Sequence, residues 1–74
     1  MTLREWLDQN PEVAEVDYTY HAKDGNIEYG FDTVEALKKG SWDIPSDILD
    51  CRVLKADTEC VDSELIAYVD VVSE

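Results

Sequence analysis

Four segments of this chain change polarity residue by residue, and that two-residue period restricts the fold more than any other feature. In "EVAEVDYTY", Ala14, Val16, Tyr18 and Tyr20 fall on one side of an extended chain, with Glu15, Asp17 and Thr19 on the other. "NIEYGF" places Ile27, Tyr29 and Phe31 on one face and Glu28 and Gly30 on the other. About Asp50 to Ala56, Cys51 and Val53 alternate with Asp50, Arg52 and Leu54. "ELIAYVDVV" is the most apolar, with Leu65, Ala67, Val69 and Val71 opposite Ile66, Tyr68, Asp70 and Val72. Alternate side chains of a strand point to opposite faces, so each segment reads as a strand with one face on a core.

Two short helices fit between these strands. "TLREWLDQNP" opens with Thr2 and, three residues on, Glu5, the pair that forms a capping box. Leu3, Trp6 and Leu7 share a face, and Pro11 disfavours helix at Asn10, so the helix should stop near Gln9. In "DTVEALKKG", Asp32 or Thr33 can cap, Glu35 suits the first turn, Lys38 and Lys39 the last, and Gly40 can end it. Asp24-Gly25 marks a turn between the first two strands, because Gly tolerates positive φ. Gly30 marks a bulge or a close backbone approach. "SWDIPSDILD" is a connector with one helical turn at Ser46 to Leu49, and "DTECVDS" is read as a loop.

The order is therefore αββαββ. Sequential strands usually pair, so two hairpins are expected to join in one antiparallel sheet of about four strands. Helices this short need the sheet's apolar face to stand on. The expected fold is a two-layer α+β single domain spanning residues 1–74, with both helices on one face of the sheet and the other face open.

Charge decides which functions are plausible. Eighteen acidic residues face six basic ones, a net charge of −12 in 74 residues. Phosphates would be repelled and no basic patch is visible, which argues against direct nucleic-acid binding. Disorder fits poorly with regular apolar periods and aromatic strands. The plain reading of the acidity is solubility; the functional reading is a surface that attracts basic partners. No run approaches the roughly 18–20 apolar residues of a membrane span, and the first residues lack a signal peptide's basic start and apolar stretch. The expected location is a cytoplasm, that of a host if the gene is viral.

Catalysis finds little footing. His21 is the single histidine and ends a strand beside a turn, and no nucleophile-elbow, zinc-protease or phosphate-loop motif occurs. The chain has little volume to enclose a carboxylate pair with one raised pKa. Asp57, Glu59, Asp62 and Glu64 could attract calcium, but they lack the spacing and central glycine of an EF-hand loop. Cys51 and Cys60 are too few for a disulfide framework and are not at zinc-site spacing; Cys51 reads as a buried small hydrophobe. The reading is thus no enzyme, no metal and no cofactor.

What remains is a surface. With the strands paired as above, Glu15, Asp17, Glu28, Asp50 and Asp70 all project from the open face. Alternate residues lie about 6.5–7 Å apart along a strand and neighbouring strands about 4.8 Å apart. That resembles the roughly 6–7 Å between successive phosphates, whose axial rise is about 3.4 Å per nucleotide. Arg52 on the same face would weaken the array by internal pairing. Ile66 and Tyr68, apolar groups amid carboxylates, have the character of an interface.

The opening "MTLREWLDQN", and "IPSDILDCRV" followed by "LIAYVDV", resemble segments of short acidic proteins encoded by phages and integrated elements of Gram-positive bacteria. Anti-CRISPR and antirestriction DNA mimics are found among such proteins. The resemblance implies a mobile-element origin, where small acidic inhibitors are common, and transfers no site residue. The charge excess and the carboxylates at strand spacing point to a non-enzymatic inhibitor of the basic, nucleic-acid-binding groove of a host defence protein such as a nuclease. The alternative is an interaction module that uses strand four or the aromatic residues, with Trp42, Ile66 and Tyr68 as anchors; dimerisation through an exposed edge strand is one version of it.

Overall fold

The computed structural model describes residues 1–40 and 48–73. Its elements run α1 (Leu3–Gln9), β1 (Val13–His21), β2 (Ile27–Thr33), α2 (Val34–Lys39), a 3-10 turn (Ile48–Asp50), β3 (Arg52–Val61) and β4 (Glu64–Val72). This is the expected αββαββ order in a two-layer α+β fold. Both helices sit on one sheet face, where Leu3, Leu7 and Leu37 join Val16, Tyr18, Val69 and Val71 in one buried cluster. Ile48, Leu49 and Cys51 close that core from the connector side. Trp42, Pro45 and most of the connector lie outside the described residues, as does the first half of the expected turn at Ser46 to Leu49.

Both helix termini are built as their residues dictate. The Thr2 hydroxyl accepts from the Glu5 N–H at 3.2 Å, while the Glu5 carboxylate accepts from the Thr2 N–H at 2.9 Å. Asn10 then closes α1 by donating its side-chain amide to the Trp6 carbonyl at 2.8 Å. Thr33 caps α2, accepting from the Ala36 N–H at 3.1 Å, and Gly40 follows its end at φ 82°.

The sheet order is β2-β1-β4-β3, and the sheet is mixed, not antiparallel throughout. β1 and β2 form one antiparallel hairpin and β3 and β4 another, but β1 and β4 meet in parallel at the centre. The physical reason lies in the connection. β2 and β3, at opposite edges, run in the same direction, so the chain must cross the full length of the sheet between them. A helix plus connector supplies that crossover, as parallel arrangements require. It also leaves the two most buried strands, β1 and β4, in the middle.

Two irregularities adjust the faces. A register shift between Val13 and Glu15 makes Ala14 the extra residue, so Val13 is buried and Ala14 exposed. A second shift, between Val53 and Lys55, turns Leu54 outward. β3 also runs on to Val61 where a loop was expected, and a two-residue turn at Asp62-Ser63 (φ 50° and 68°) joins it to β4.

The largest departure concerns β2, whose faces are inverted relative to the sequence reading. A two-residue turn at Asp24-Gly25 would pair Tyr20 with Tyr29 and Tyr18 with Phe31, placing all four rings on the core side. Instead only Gly25 takes positive φ (91°), and the loop closes one residue wider, with the Ala22 N–H donating to Asn26 O at 2.9 Å and Gly25 N–H to Ala22 O at 3.1 Å. Asp24 accepts from the Asn26 backbone and side-chain amides at 3.0 and 2.9 Å, holding that form. The observed pairs are Tyr18 with Gly30 and Tyr20 with Glu28. Gly30 lies under the buried Tyr18 ring, where a Cβ would come within 2.5 Å of the hydroxyl oxygen and 2.7 Å of Cζ. It marks a close approach. A one-residue shift in pairing sends every β2 side chain to the other face.

Candidate functional site: the open sheet face

Directly paired residues share a face, so the ladder maps the open side row by row. One row reads Phe31, Asp17, Tyr68, Asp57 across β2, β1, β4 and β3. The row on one side reads Thr33, Glu15, Ile66, Glu59; that on the other reads Tyr29, Thr19, Asp70, Lys55. Ile27, His21, Val72 and Arg52 form the end row.

Of the seven residues assigned to the face from sequence, five stand there: Glu15, Asp17, Asp70, Ile66 and Tyr68. Two do not. Glu28 pairs with Tyr20 and points to the helix side, a consequence of the inverted β2. Asp50 belongs to the 3-10 turn and accepts from Arg4 of α1 at 3.4 Å, so it links two elements of the helix layer. Asp57 and Glu59 take their places. They were assigned to a loop because the outer half of β3 is polar on both sides; alternation of Asp57 and Glu59 with Thr58 and Cys60 was the signal available.

The inversion also brings rings to the face. Tyr29 is 79% exposed, Phe31 69%, Ile27 49% and Tyr68 39%. β2 is an edge strand, so this apolar lane borders the sheet. Beside it, Glu15 and Asp17 form a carboxylate lane on β1, about 6.5–7 Å apart along the strand. Asp57 and Glu59 form a second on β3, about 9–10 Å from the first, with Ile66 and Tyr68 between them.

Charge is unevenly spread. Arg4 and Lys39 pair with Asp50 and Glu35 in the helix layer. On the open face Lys55 and Arg52 both belong to β3, away from the Glu15, Ile66 and Glu59 row. The β1 and β2 lanes hold no lysine or arginine at all. Tyr68 donates to Glu59 at 3.1 Å. That bond pushes the Tyr68 pKa above 10.0, and the Glu59 and Asp17 charges push the same way. A shallow open depression of about 150 Å³, bordered by Asp17, Thr19, Lys55, Asp57, Tyr68 and Asp70, lies at the centre.

The arrangement is suited to binding. Among the described residues no group of three or more His, Cys, Asp or Glu could hold a metal ion. Asp57, Glu59, Asp62 and Glu64 are spread along β3, the turn and β4. Cys51 is buried and Cys60 exposed. No helix among the described residues is long and apolar enough to cross a membrane. No known protein family, curated protein or solved structure matches the chain.

Proposed function

We propose that this chain is a non-enzymatic binding protein whose open sheet face docks on a positively charged surface of a partner protein. The observation that supports this reading is the coexistence, on one face, of two carboxylate lanes with exposed Ile27, Tyr29, Phe31 and Tyr68. Solubility alone accounts for carboxylates but not for large apolar groups at strand spacing among them. Basic surfaces of matching shape are those that hold nucleic acid, so the expected consequence of docking is competition with nucleic acid, as an anti-CRISPR or antirestriction mimic would compete. In a phage or mobile-element setting the partner would be a host nuclease, met in the host cytoplasm.

Capture of partners from bacterial lysate at low and high salt, with mass spectrometry of the eluate, tests this reading. Captured proteins should be nucleic-acid-binding, released by added DNA, and retained less as salt rises. Retention of proteins that DNA does not displace would overturn it. Changing Glu15, Asp17, Asp57 and Asp70 together to their amides should abolish capture while circular dichroism shows the fold intact.

A second reading is association of two copies through β2, favoured by the apolar lane on that edge strand. The −12 carried by each copy opposes it. Sedimentation over a range of concentrations in high salt decides: a monomer throughout removes the dimer.

A further inference from the structure

Resting on the reading of the open face as a site for a basic partner, we infer that the partner's contact segment is arginine-rich, and that the Phe31, Asp17, Tyr68 row is its guanidinium seat. Asp17 stands between two rings. Phe31 is its direct partner on β2 and Tyr68 its direct partner on β4, so each neighbour's backbone is about 4.8 Å away. Both rings are exposed, and Asp57 follows Tyr68 in the same row.

A carboxylate flanked by aromatic rings matches guanidinium better than ammonium. Guanidinium is planar, pairs with a carboxylate through two parallel N–H bonds, and is weakly enough hydrated to lie against a ring. An ammonium is a compact, strongly hydrated point charge that gains from the carboxylate but less from the rings. Charge complementarity selects a cationic occupant: no lysine or arginine of this chain stands on β1 or β2, and Lys55 of β3, which borders the same depression, belongs to the adjacent row. The same charge disfavours a second copy.

The test is titration of the whole chain with two peptides of equal length and charge, deca-arginine and deca-lysine, in low salt by calorimetry. Deca-arginine should bind about five- to tenfold tighter, the effect of two exposed ring contacts. Phe31→Leu with Tyr68→Leu, which keep apolar volume at exposed positions, should reduce that ratio to about twofold or less, because deca-arginine loses more affinity than deca-lysine. Asp17→Asn should weaken both peptides. Equal affinity of the native chain for the two peptides overturns the arginine seat but leaves the basic-partner reading standing. A preference that survives the double leucine variant also overturns the seat. Binding of neither peptide overturns both readings, and self-association that excludes the peptides assigns the face to a second copy.

Discussion

Individual side chains explain several outcomes that composition could not. Gly30 is needed because the Tyr18 ring occupies the space its Cβ would take. Gly30→Ala should destabilise the fold by about 1–3 kcal/mol, the range for overpacking a tight site, and lower Tm by roughly 5–15 °C. Thermal unfolding followed by circular dichroism measures it. Glu5 titrates below its ordinary 4.5, first because its carboxylate accepts from the Thr2 backbone N–H and then because it bonds the Thr2 hydroxyl. The folded pKa is depressed, so this contribution is present above 4.5 and lost as pH falls through the folded value. NMR titration should show the Glu5 midpoint below 4.5, moving upward in Thr2→Ala. Tyr68 behaves oppositely. Its bond to Glu59 raises its pKa above 10.0, so the contribution is complete below 10.0 and lost as pH rises through the folded value. Ultraviolet titration should return Tyr68 toward 10.0 in Glu59→Gln.

At the scale of elements, the turns carry the information that alternation lacks. The β3–β4 turn holds two non-glycine residues at positive φ, Asp62 at 50° and Ser63 at 68°. Ser63→Gly should therefore stabilise the hairpin by roughly 0.5–1 kcal/mol, seen as a higher urea midpoint with an unchanged m-value. Both helices, their caps, and β4 were legible in the chain because capping boxes and apolar periods are local. The facing of β2 was not: its alternation is the same whichever side is buried, and the wider loop at residues 23–25, with Tyr18 seated over Gly30, selects the side. The candidate site inherited that ambiguity. Glu15, Asp17, Asp70, Ile66 and Tyr68 were readable because β1 and β4 each have one face apolar enough to identify the core. Glu28 was misplaced and Tyr29 and Phe31 were missed through the same one-residue difference. Asp57 and Glu59 were missed because the outer half of β3 extends past the core and leaves no buried residue to reveal a strand.

Over the whole molecule, charge and topology dominate. A chain at −12 repels itself, and salt screens that repulsion. Raising sodium chloride from low levels to about 0.3 M should raise Tm by roughly 5 °C, about 1 kcal/mol for a domain this small. The same change should weaken capture of a basic partner, so one variable moves stability and binding in opposite directions. Even so, the Cα radius of gyration is 11.4 Å, that of a fully collapsed chain of this length. Collapse is possible because the carboxylates sit on the open face and at the helix surfaces, and no charged side chain is buried among the described residues.

The sequence by itself determined the α+β class, the element order, the helix ends and the acidic balance, because local periods, caps and composition act over a few residues. The tertiary structure alone decided that the sheet is mixed, that β2 shows its rings to solvent, and that Asp17 stands between Phe31 and Tyr68. Those outcomes depend on strand direction and register. Register is set where strands meet, here by the loop that seats Tyr18 over Gly30 and by β1 lying beside β4, and the alternation of a strand does not encode it.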